Sequence, residues 1–374
     1  MTQYHTTDYE KKIIRAICEC RTKALGGRVE ECDTCGHKLV FYNSCRNRHC
    51  PQCQFMKKEQ WVMRKKAEVL PFQYFHVVFT LPDGLNPIVC RNKKLIYRLL
   101  FDTVKKTLLE VTGNKKYFGA KIGFFSILHT WGQKLNLHPH IHCVVPGGGY
   151  SPESTKWKAA KKDYLVPVRV LRKRFQYFFL TSLKRLYQNR QLYLDGTKYG
   201  EPVNFQELVD LLFGKKWVVY LKESFKNSDT VIEYLSRYTH RIAICNYRIK
   251  GLKNGRVYFS YRDYKRNNEK KIHSLEVLSF IRHFLLHIVP YRFVRIRYYG
   301  LLSHRNKRKE RESCYEYYQK KIVKQKEKSC WHEIYLDVTG VDLKTCRTCG
   351  KGIMALKEVL SPVTSHGPPV LSYN

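Results

Sequence analysis

The stretch HPHIHCVV, residues 138–145, places three histidines at alternating positions and then continues as an apolar run. In a β-strand, residues two apart point to the same side, so His140 and His142 present two imidazoles together while the residue between them points to the core. His138 lies on that same face, and Pro139 indicates the start of the strand or an edge of the sheet. Neutral imidazoles are common metal ligands, and the pattern therefore predicts a divalent metal site on a strand.

A third ligand for this site can come from a residue close to His140 in sequence. Gln133 lies seven residues upstream of His140, after a turn expected at Gly132, and its amide oxygen can coordinate a metal ion. We therefore expect Gln133 to complete the site.

Further strand-like runs surround this stretch and decide the fold class. They are YFHVVFT, IGFFSILHTW, HIHCVV, WVVYL, IAICNYRI and RVYFSYRD, with helical periodicity at 91–111, 168–190, 204–212 and 228–240. Lys253-Asn254-Gly255 is a hairpin-length link between two of the runs. Strands that outnumber helices and are joined by such links favour an α+β fold with an antiparallel sheet over a doubly wound one.

Composition divides the chain into three expected domains. Residues 1–70 form a cysteine-rich module that ends in a basic helix, and residues 71–264 carry the strand-like runs. Residues 265–374 are basic and mainly helical, with an aromatic cluster and a Cys-x-x-Cys pair.

Four cysteines of the first domain have the spacing of two zinc knuckles. Cys32-x-x-Cys35 and Cys50-x-x-Cys53 are each a turn in which both thiolates face one ion. Together they supply four sulfurs, which predicts one tetrahedral structural zinc ion.

Three neighbouring residues are candidates for a second zinc ion: Cys20, Cys45 and His49. Their irregular spacing leaves the alternative that they pack in the small core of the knuckles. In the same segment, Arg46 and Arg48 are expected on the surface, where guanidinium groups suit DNA phosphates.

The C-terminal pair Cys346-x-x-Cys349 resembles half of a zinc ribbon. Since only one knuckle is present there, a complete site would need Cys330, His332 or another chain.

Two tyrosines lie four residues apart in the segment 228–241. Thr230 and Glu233 have the spacing of a capping box, which predicts a helix that places Tyr234 and Tyr238 on one face. The alternatives are paired core aromatics, or nucleophiles that attack a phosphodiester polarised by a cation. Two arginines near the same helix could clamp phosphates or form a solvated basic face: Arg237 and Arg241.

The charge of the chain indicates its partner. Sixty-nine Lys and Arg against 31 Asp and Glu give a net charge of +38, which suits nucleic acid. A hydrophobic content of 43% and an aromatic content of 14% exclude a disordered basic tail. The basic, aromatic stretch 290–326 suits single-stranded DNA, whose bases stack on rings. No apolar run reaches the roughly 18 residues of a membrane span, and no signal peptide is evident, so we expect a cytoplasmic protein associated with the nucleoid of a prokaryote.

Several blocks of the chain resemble one family. SCRNRHCPQCQ, LHTWGQ, LHPHIHCVVPGGG, YLSRYTHRIAI and FLLHIVPYRFVRIRYYGLLSHRNK are similar, in order, to rolling-circle insertion-sequence transposases of the two-tyrosine type in the HUH endonuclease superfamily. The resemblance spans roughly residues 10 to 350. It implies an N-terminal zinc-binding domain followed by an antiparallel-sheet HUH nuclease domain.

The resemblance also implies the chemistry. His140 and His142 correspond to the HUH histidines that hold Mg²⁺ or Mn²⁺, and Tyr234 and Tyr238 to the nucleophiles. Members are expected to cut single-stranded DNA at transposon ends without ATP, forming a 5′-phosphotyrosine and a free 3′-OH. The third metal ligand differs between branches, so His138 and His240 compete with Gln133.

Two other functions share some of these features. A plasmid-type replication initiator or relaxase would use the same nuclease site, whereas a zinc-dependent DNA-binding regulator would need only the knuckles and the positive charge. The DNA ends and the oligomeric state, including a homodimer, are left open by the sequence.

Overall fold

A five-stranded antiparallel sheet forms the centre of the computed structural model, in the strand order β12-β4-β5-β3-β8. The structure describes residues 6–68, 73–154, 156–225, 242–263, 266–303, 312, 314, 316–317 and 331–363. The strands are β1 Gly27–Cys32, β2 Lys38–Tyr42, β3 Tyr74–Thr80, β4 Gly123–Trp131, β5 Leu137–Pro146, β6 Gly148–Tyr150, β7 Trp157–Ala159, β8 Val218–Phe225, β9 Ile249–Lys253, β10 Arg256–Asp263, β11 Glu269–Glu276, β12 Ile296–Gly300 and β13 Met354–Leu360. The helices are α1 Asp8–Glu19, α2 Phe55–Glu68, α3 Asn86–Arg91, α4 Lys93–Gly113, α5 Val168–Gln188, α6 Pro202–Gly214, α7 Val277–Leu286 and α8 Trp331–Thr339.

The alternation of residues along the central strands separates the two faces of this sheet. Odd-numbered apolar residues of β3 and β5, such as Phe79 and Ile141, join the main core together with side chains of α4, α5 and α6. The opposite face carries the even-numbered residues of the same two strands. It includes a smaller apolar cluster around Trp61 of α2 and Val144 of β5. The sheet therefore has a helical layer on one face and leaves room for polar side chains on the other.

The turn Asn254-Gly255 joins β9 to β10, as the sequence predicts. Both residues have positive φ, 50° and 67°, which is the conformation of a type I′ hairpin. Together with the antiparallel central sheet, this confirms the expected α+β class and excludes a doubly wound sheet.

The N-terminal module contains a three-stranded sheet in the order β13-β1-β2. Its outer strand β13 comes from the far end of the chain and pairs antiparallel with β1, so that Cys32 lies opposite Met354. The basic helix expected to leave this module is α2.

The stretch 265–374, expected as one mainly helical region, supplies a strand to each of three sheets. β11 pairs with β10, β12 with β4, and β13 with β1. The last two of these pairings join residues far apart in sequence, which composition does not indicate. Among the described residues, no helix is both long and apolar enough to cross a bilayer.

Candidate functional site

Three histidines meet on the face of the central sheet that faces away from α4 and α5. His129 of β4 lies directly opposite His140 of β5, and His142 follows two residues along the same strand. The ring centroids of His129 are 5.2 Å from His140 and 4.3 Å from His142, and those of His140 and His142 are 4.8 Å apart. One ring nitrogen from each residue lies within 4.8 Å of the others, a spacing that suits a single metal ion.

Hydrogen bonds orient two of the three rings. Nδ1–H of His140 donates to the carbonyl oxygen of His138 at 2.6 Å, which leaves the lone pair on Nε2. Nδ1 of His142 lies 2.8 Å from Nε2 of His76, a buried residue of β3. When His142 donates this hydrogen bond, its Nε2 is also available to a metal. His76 therefore supports the site from the third central strand.

The buried environment keeps these imidazoles neutral. Burial lowers the pKa of His140 to about 3 and that of His76 to about 4, and it lowers the pKa of His142 well below its usual range. A neutral imidazole has a lone pair for a metal, so near pH 7 protons compete little for this site.

His129 occupies the position at which the sequence analysis expects Gln133. The side-chain Oε1 of Gln133 instead accepts a hydrogen bond from the backbone N–H of Arg262, at 3.3 Å, and so faces β10. His138, a competing candidate, lies with Nδ1 3.7 Å from a carboxylate oxygen of Asp83. His240 lies outside the described residues.

A signal for His129 was present in the sequence. In the run IGFFSILHTW, Ile127 and His129 share the face opposite that of Leu128, by the same alternation that applies to β5. The cross-strand register needed to pair His129 with His140 is a tertiary property, which the sequence of β4 alone does not give.

The cysteines form two groups of four, which corrects the expected set of Cys32, Cys35, Cys50 and Cys53. The structure separates that set, because β1 and β2 carry the first knuckle away from the second and β13 brings a different knuckle beside the first. The two observed groups are Cys20, Cys45, Cys50 and Cys53, and Cys32, Cys35, Cys346 and Cys349. In each group the four sulfurs lie within 4.8 Å of one another. The candidate His332 is not in the second group, and Cys330 lies outside the described residues.

His49 does not join the cysteines with which it was grouped. Its buried ring accepts a hydrogen bond from the N–H of Val289 at Nε2, at 3.3 Å, and its Nδ1 lies 3.1 Å from Oδ1 of Asn47. Burial lowers the pKa of His49 to about 3. This residue links the N-terminal module to the segment after α7.

Only one of the two arginines expected on this surface is exposed. Arg46 is exposed, with φ 52°. Arg48 is largely covered and donates from Nη1 to the carbonyl oxygen of Phe293, at 2.9 Å. Arg48 is therefore half-buried and bonded to the protein backbone, whereas Arg46 is open to solvent.

The segment that carries Tyr234, Tyr238, Arg237 and Arg241 lies outside the described residues, but its two flanks are described. Before it, β8 pairs with β3, and Lys222 lies opposite His76. After it, residues 242–244 form a small core against which Trp131 packs, and the Trp131 ring stacks on His129 with centroids 4.5 Å apart. The flank before the tyrosine segment therefore lies on the strand next to β3, and the flank after it packs beside His129 through Trp131.

The edge strand β8 adds exposed groups to the same face of the sheet. Tyr220 lies opposite Val78 and Lys222 opposite His76, so both share the side of the histidines. Tyr220 is 53% exposed, and Lys222 is also exposed. At the edge of the site, the Tyr220 ring can contact a nucleic-acid base and the Lys222 ammonium group can contact a phosphate.

Comparisons with known proteins agree on one kind of protein. Residues 1–81 match a family described as "Transposase zinc-binding domain", and residues 123–310 match the Y2_Tnp family, described as "Putative transposase". The chain is 41% identical to the "Putative transposase y4qJ" of Sinorhizobium fredii, over 96% of this chain and 91% of that protein. It is 28% identical to the "Transposase for insertion sequence element IS801" of Pseudomonas savastanoi, over 80% of this chain and 71% of that protein. No solved structure matches.

Proposed function

The chain belongs to the Y2_Tnp family of transposases, and from that premise we propose that it nicks single-stranded DNA at the ends of its element by tyrosine attack. The phenolic oxygen of Tyr234 or Tyr238 gives up its proton to solvent and attacks the scissile phosphorus. The bond between phosphorus and the 3′ oxygen breaks, and the leaving oxygen gains a proton to become a 3′-OH. The strand on the 3′ side of the cut stays attached to the tyrosine through its 5′ phosphate, which conserves the bond for strand transfer.

The observation that carries this proposal is the cluster of three imidazoles at His129, His140 and His142. Residues 242–244, which directly follow the tyrosine segment, pack with Trp131, whose ring stacks on His129. This contact brings one flank of the tyrosine segment to the cluster and supports these tyrosines as the nucleophiles, since proximity lowers the entropic cost of attack.

The three histidines fit a divalent ion. When bound, such an ion withdraws charge from the non-bridging oxygens of the scissile phosphate. The donor set consists of neutral nitrogen atoms, whereas Mg²⁺ prefers oxygen ligands. Of the two expected cofactors, Mn²⁺ is therefore favoured over Mg²⁺. The chain's own groups hold the phosphate in place and supply the attacking oxygen.

The surface around the site supports single-stranded DNA as the substrate. The net charge of +38 attracts a polyanion, and Tyr220 and Lys222 lie on the edge strand beside the histidines. The unpaired bases of a single strand can stack on an exposed ring, whereas the bases of a duplex are already paired and stacked on one another. The place of action is then the cytoplasm, at the nucleoid of the host cell.

The two alternative functions explain fewer of the observed features. A replication initiator or relaxase would share the chemistry, but the relatives of this chain are transposases. A non-catalytic regulator would leave the cluster of three imidazoles unexplained.

A covalent-adduct assay tests the proposal. Full-length protein is incubated with Mn²⁺ and 5′- or 3′-labelled single strands copied from the DNA that flanks the gene, and is then run on a denaturing gel. The 3′ label should migrate with the wild-type protein, whereas the 5′ label should appear on a shorter, free fragment that ends in a 3′-OH. The single changes Tyr234→Phe and Tyr238→Phe should each leave partial activity, and the double change should leave none.

The matched control is Tyr193→Phe, because Tyr193 is also exposed, at 56%, and lies on the loop after α5, away from the histidines. This variant should form the adduct like the wild type. An adduct that persists in the double variant would show that neither tyrosine is the nucleophile.

A further inference from the structure

We infer that the two ends of the chain share a structural zinc site, formed by the knuckle Cys32-x-x-Cys35 and the knuckle Cys346-x-x-Cys349. The remaining group in the N-terminal module, at Cys20, Cys45, Cys50 and Cys53, holds a second zinc ion. Each chain then carries two structural zinc ions, and one of them depends on residues far beyond the zinc-binding domain at 1–81. This site is independent of the proposed cleavage chemistry.

The distances between sulfur atoms fit zinc. Sγ of Cys32 lies 3.7 Å from Sγ of Cys349, and Sγ of Cys35 lies 3.7 Å from Sγ of Cys346. A tetrahedral ion with Zn–S bonds of about 2.3 Å places its sulfurs about 3.8 Å apart. A disulfide would require about 2.0 Å. The four thiols therefore have the spacing of a Cys₄ zinc site, without cross-links between them.

The two knuckles have the same local structure. Both read Cys-x-Thr-Cys-Gly, and the glycines Gly36 and Gly350 have φ of 68° and 67°. In each, the glycine N–H donates to the carbonyl oxygen of the first cysteine, at 3.0 Å for Cys32 and 2.9 Å for Cys346. Such a turn directs both thiolates of a knuckle to one point, and only glycine adopts this φ without strain.

The backbone also donates to sulfur at this site. The N–H of Gly352 lies 3.3 Å from Sγ of Cys349. Hydrogen bonds of this kind stabilise a thiolate, which is the form that binds zinc. A zinc ion accounts for four such sulfurs placed together.

Direct contacts between the two knuckles show that one chain completes the site. The N–H of Ile353 donates to Oδ1 of Asp33 at 2.8 Å, and the N–H of Asp33 donates to the carbonyl oxygen of Ile353 at 3.1 Å. A Cβ added to Gly352 would lie 2.3 Å from Sγ of Cys32. The C-terminal knuckle is thus fitted against the first one, in continuation of the pairing between β1 and β13.

The shared ion would fasten the C-terminal segment to the N-terminal module. Helix α8 precedes the second knuckle and lies against α2, where the rings of Phe55 and Tyr335 make an edge contact at 6.4 Å. Zinc binding supplies much of the folding free energy of such small sites. Loss of this ion should therefore release residues 331–363 while the central sheet stays folded.

Metal content of the purified full chain tests the inference. Wild-type protein should contain two zinc ions per chain, the double variant Cys346→Ser/Cys349→Ser one, and the double variant Cys50→Ser/Cys53→Ser one. Cys18→Ser is the matched control, because Cys18 is exposed but belongs to neither group, and it should keep two. Two ions in the Cys346→Ser/Cys349→Ser variant, or one ion in the wild type, would overturn the inference.

Alkylation of the wild type gives a second test that needs no variant. Cys35 is exposed in the structure, so burial alone does not protect it from iodoacetamide. With zinc bound, the shared site predicts that Cys35, Cys346 and Cys349 resist alkylation while Cys18 reacts. A chelator should expose them together. Alkylation of Cys346 and Cys349 before chelation would contradict the inference, and protection only in a dimer, measured by light scattering, would assign the site to two chains.

Discussion

His129 and His140 face each other across the antiparallel pair β4 and β5, although eleven positions separate them along the chain. Their rings lie 5.2 Å apart and together with His142 form the histidine cluster. The third nitrogen donor therefore comes from a neighbouring strand and not from the turn that precedes β5.

His129→Ala should abolish adduct formation and weaken Mn²⁺ binding, because only two of the three imidazoles would remain to hold the ion. We expect the affinity to fall by more than the roughly 10- to 100-fold that loss of an outer-shell partner costs. Mn²⁺ binding is measured by electron paramagnetic resonance of the free ion. His138→Ala is the control, since its ring is outside the cluster, and it should bind Mn²⁺ like the wild type. Equal losses in both variants would contradict the assignment of His129.

His76→Ala should lower Mn²⁺ affinity by about 10- to 100-fold, since His142 would lose the acceptor that orients its ring. His76→Asn, which keeps a polar partner near His142, should recover part of the affinity. The measurement is again Mn²⁺ binding, with thermal unfolding recorded for both variants. A loss of stability without any change in affinity would show that His76 only fills the core.

Tyr220→Ala should weaken binding of a single-stranded oligonucleotide by about 1–3 kcal/mol, the usual worth of one base stacked on an aromatic ring. Lys222→Ala should instead lower the slope of log affinity against log salt by about 0.7, the value of one lost phosphate contact. Fluorescence anisotropy across a salt series measures both. Tyr193→Ala should leave both quantities unchanged, and a change as large as that of Tyr220→Ala would show that the effect is not local.

Stability should fall on acidification through His287, which is fully buried and hydrogen-bonded to the carbonyl oxygen of Leu135. Burial lowers its pKa to about 3 in the folded protein. Between pH 6.5 and 3 the unfolded chain binds a proton at this residue and the folded chain does not. The free energy of unfolding therefore decreases as pH falls, by up to about 1.4 kcal/mol per pH unit from this group.

The variant His287→Gln isolates that contribution. It should be less stable than the wild type near pH 7 and should show a shallower loss from pH 6.5 to 4.5 in urea titrations. Parallel curves of unfolding free energy against pH for the two proteins would show that His287 is not the source of the pH dependence.

Local patterns were sufficient to predict several features of this protein. The alternation in HPHIHCVV placed His140 and His142 on one face, and the Asn254-Gly255 turn predicted a hairpin, because side-chain direction in a strand and turn conformation depend on adjacent residues. The α+β class, the N-terminal zinc-binding domain and the transposase family were likewise recognisable from the sequence.

The composition of each ligand set depended on tertiary structure. Cys32 and Cys349 are 317 positions apart and meet because β13 pairs with β1. His129 meets His140 because of the register between β4 and β5. A metal site gathers atoms from whichever segments the fold brings together, so spacing along the chain identifies single knuckles and single strands, while strand pairing decides which of them share an ion.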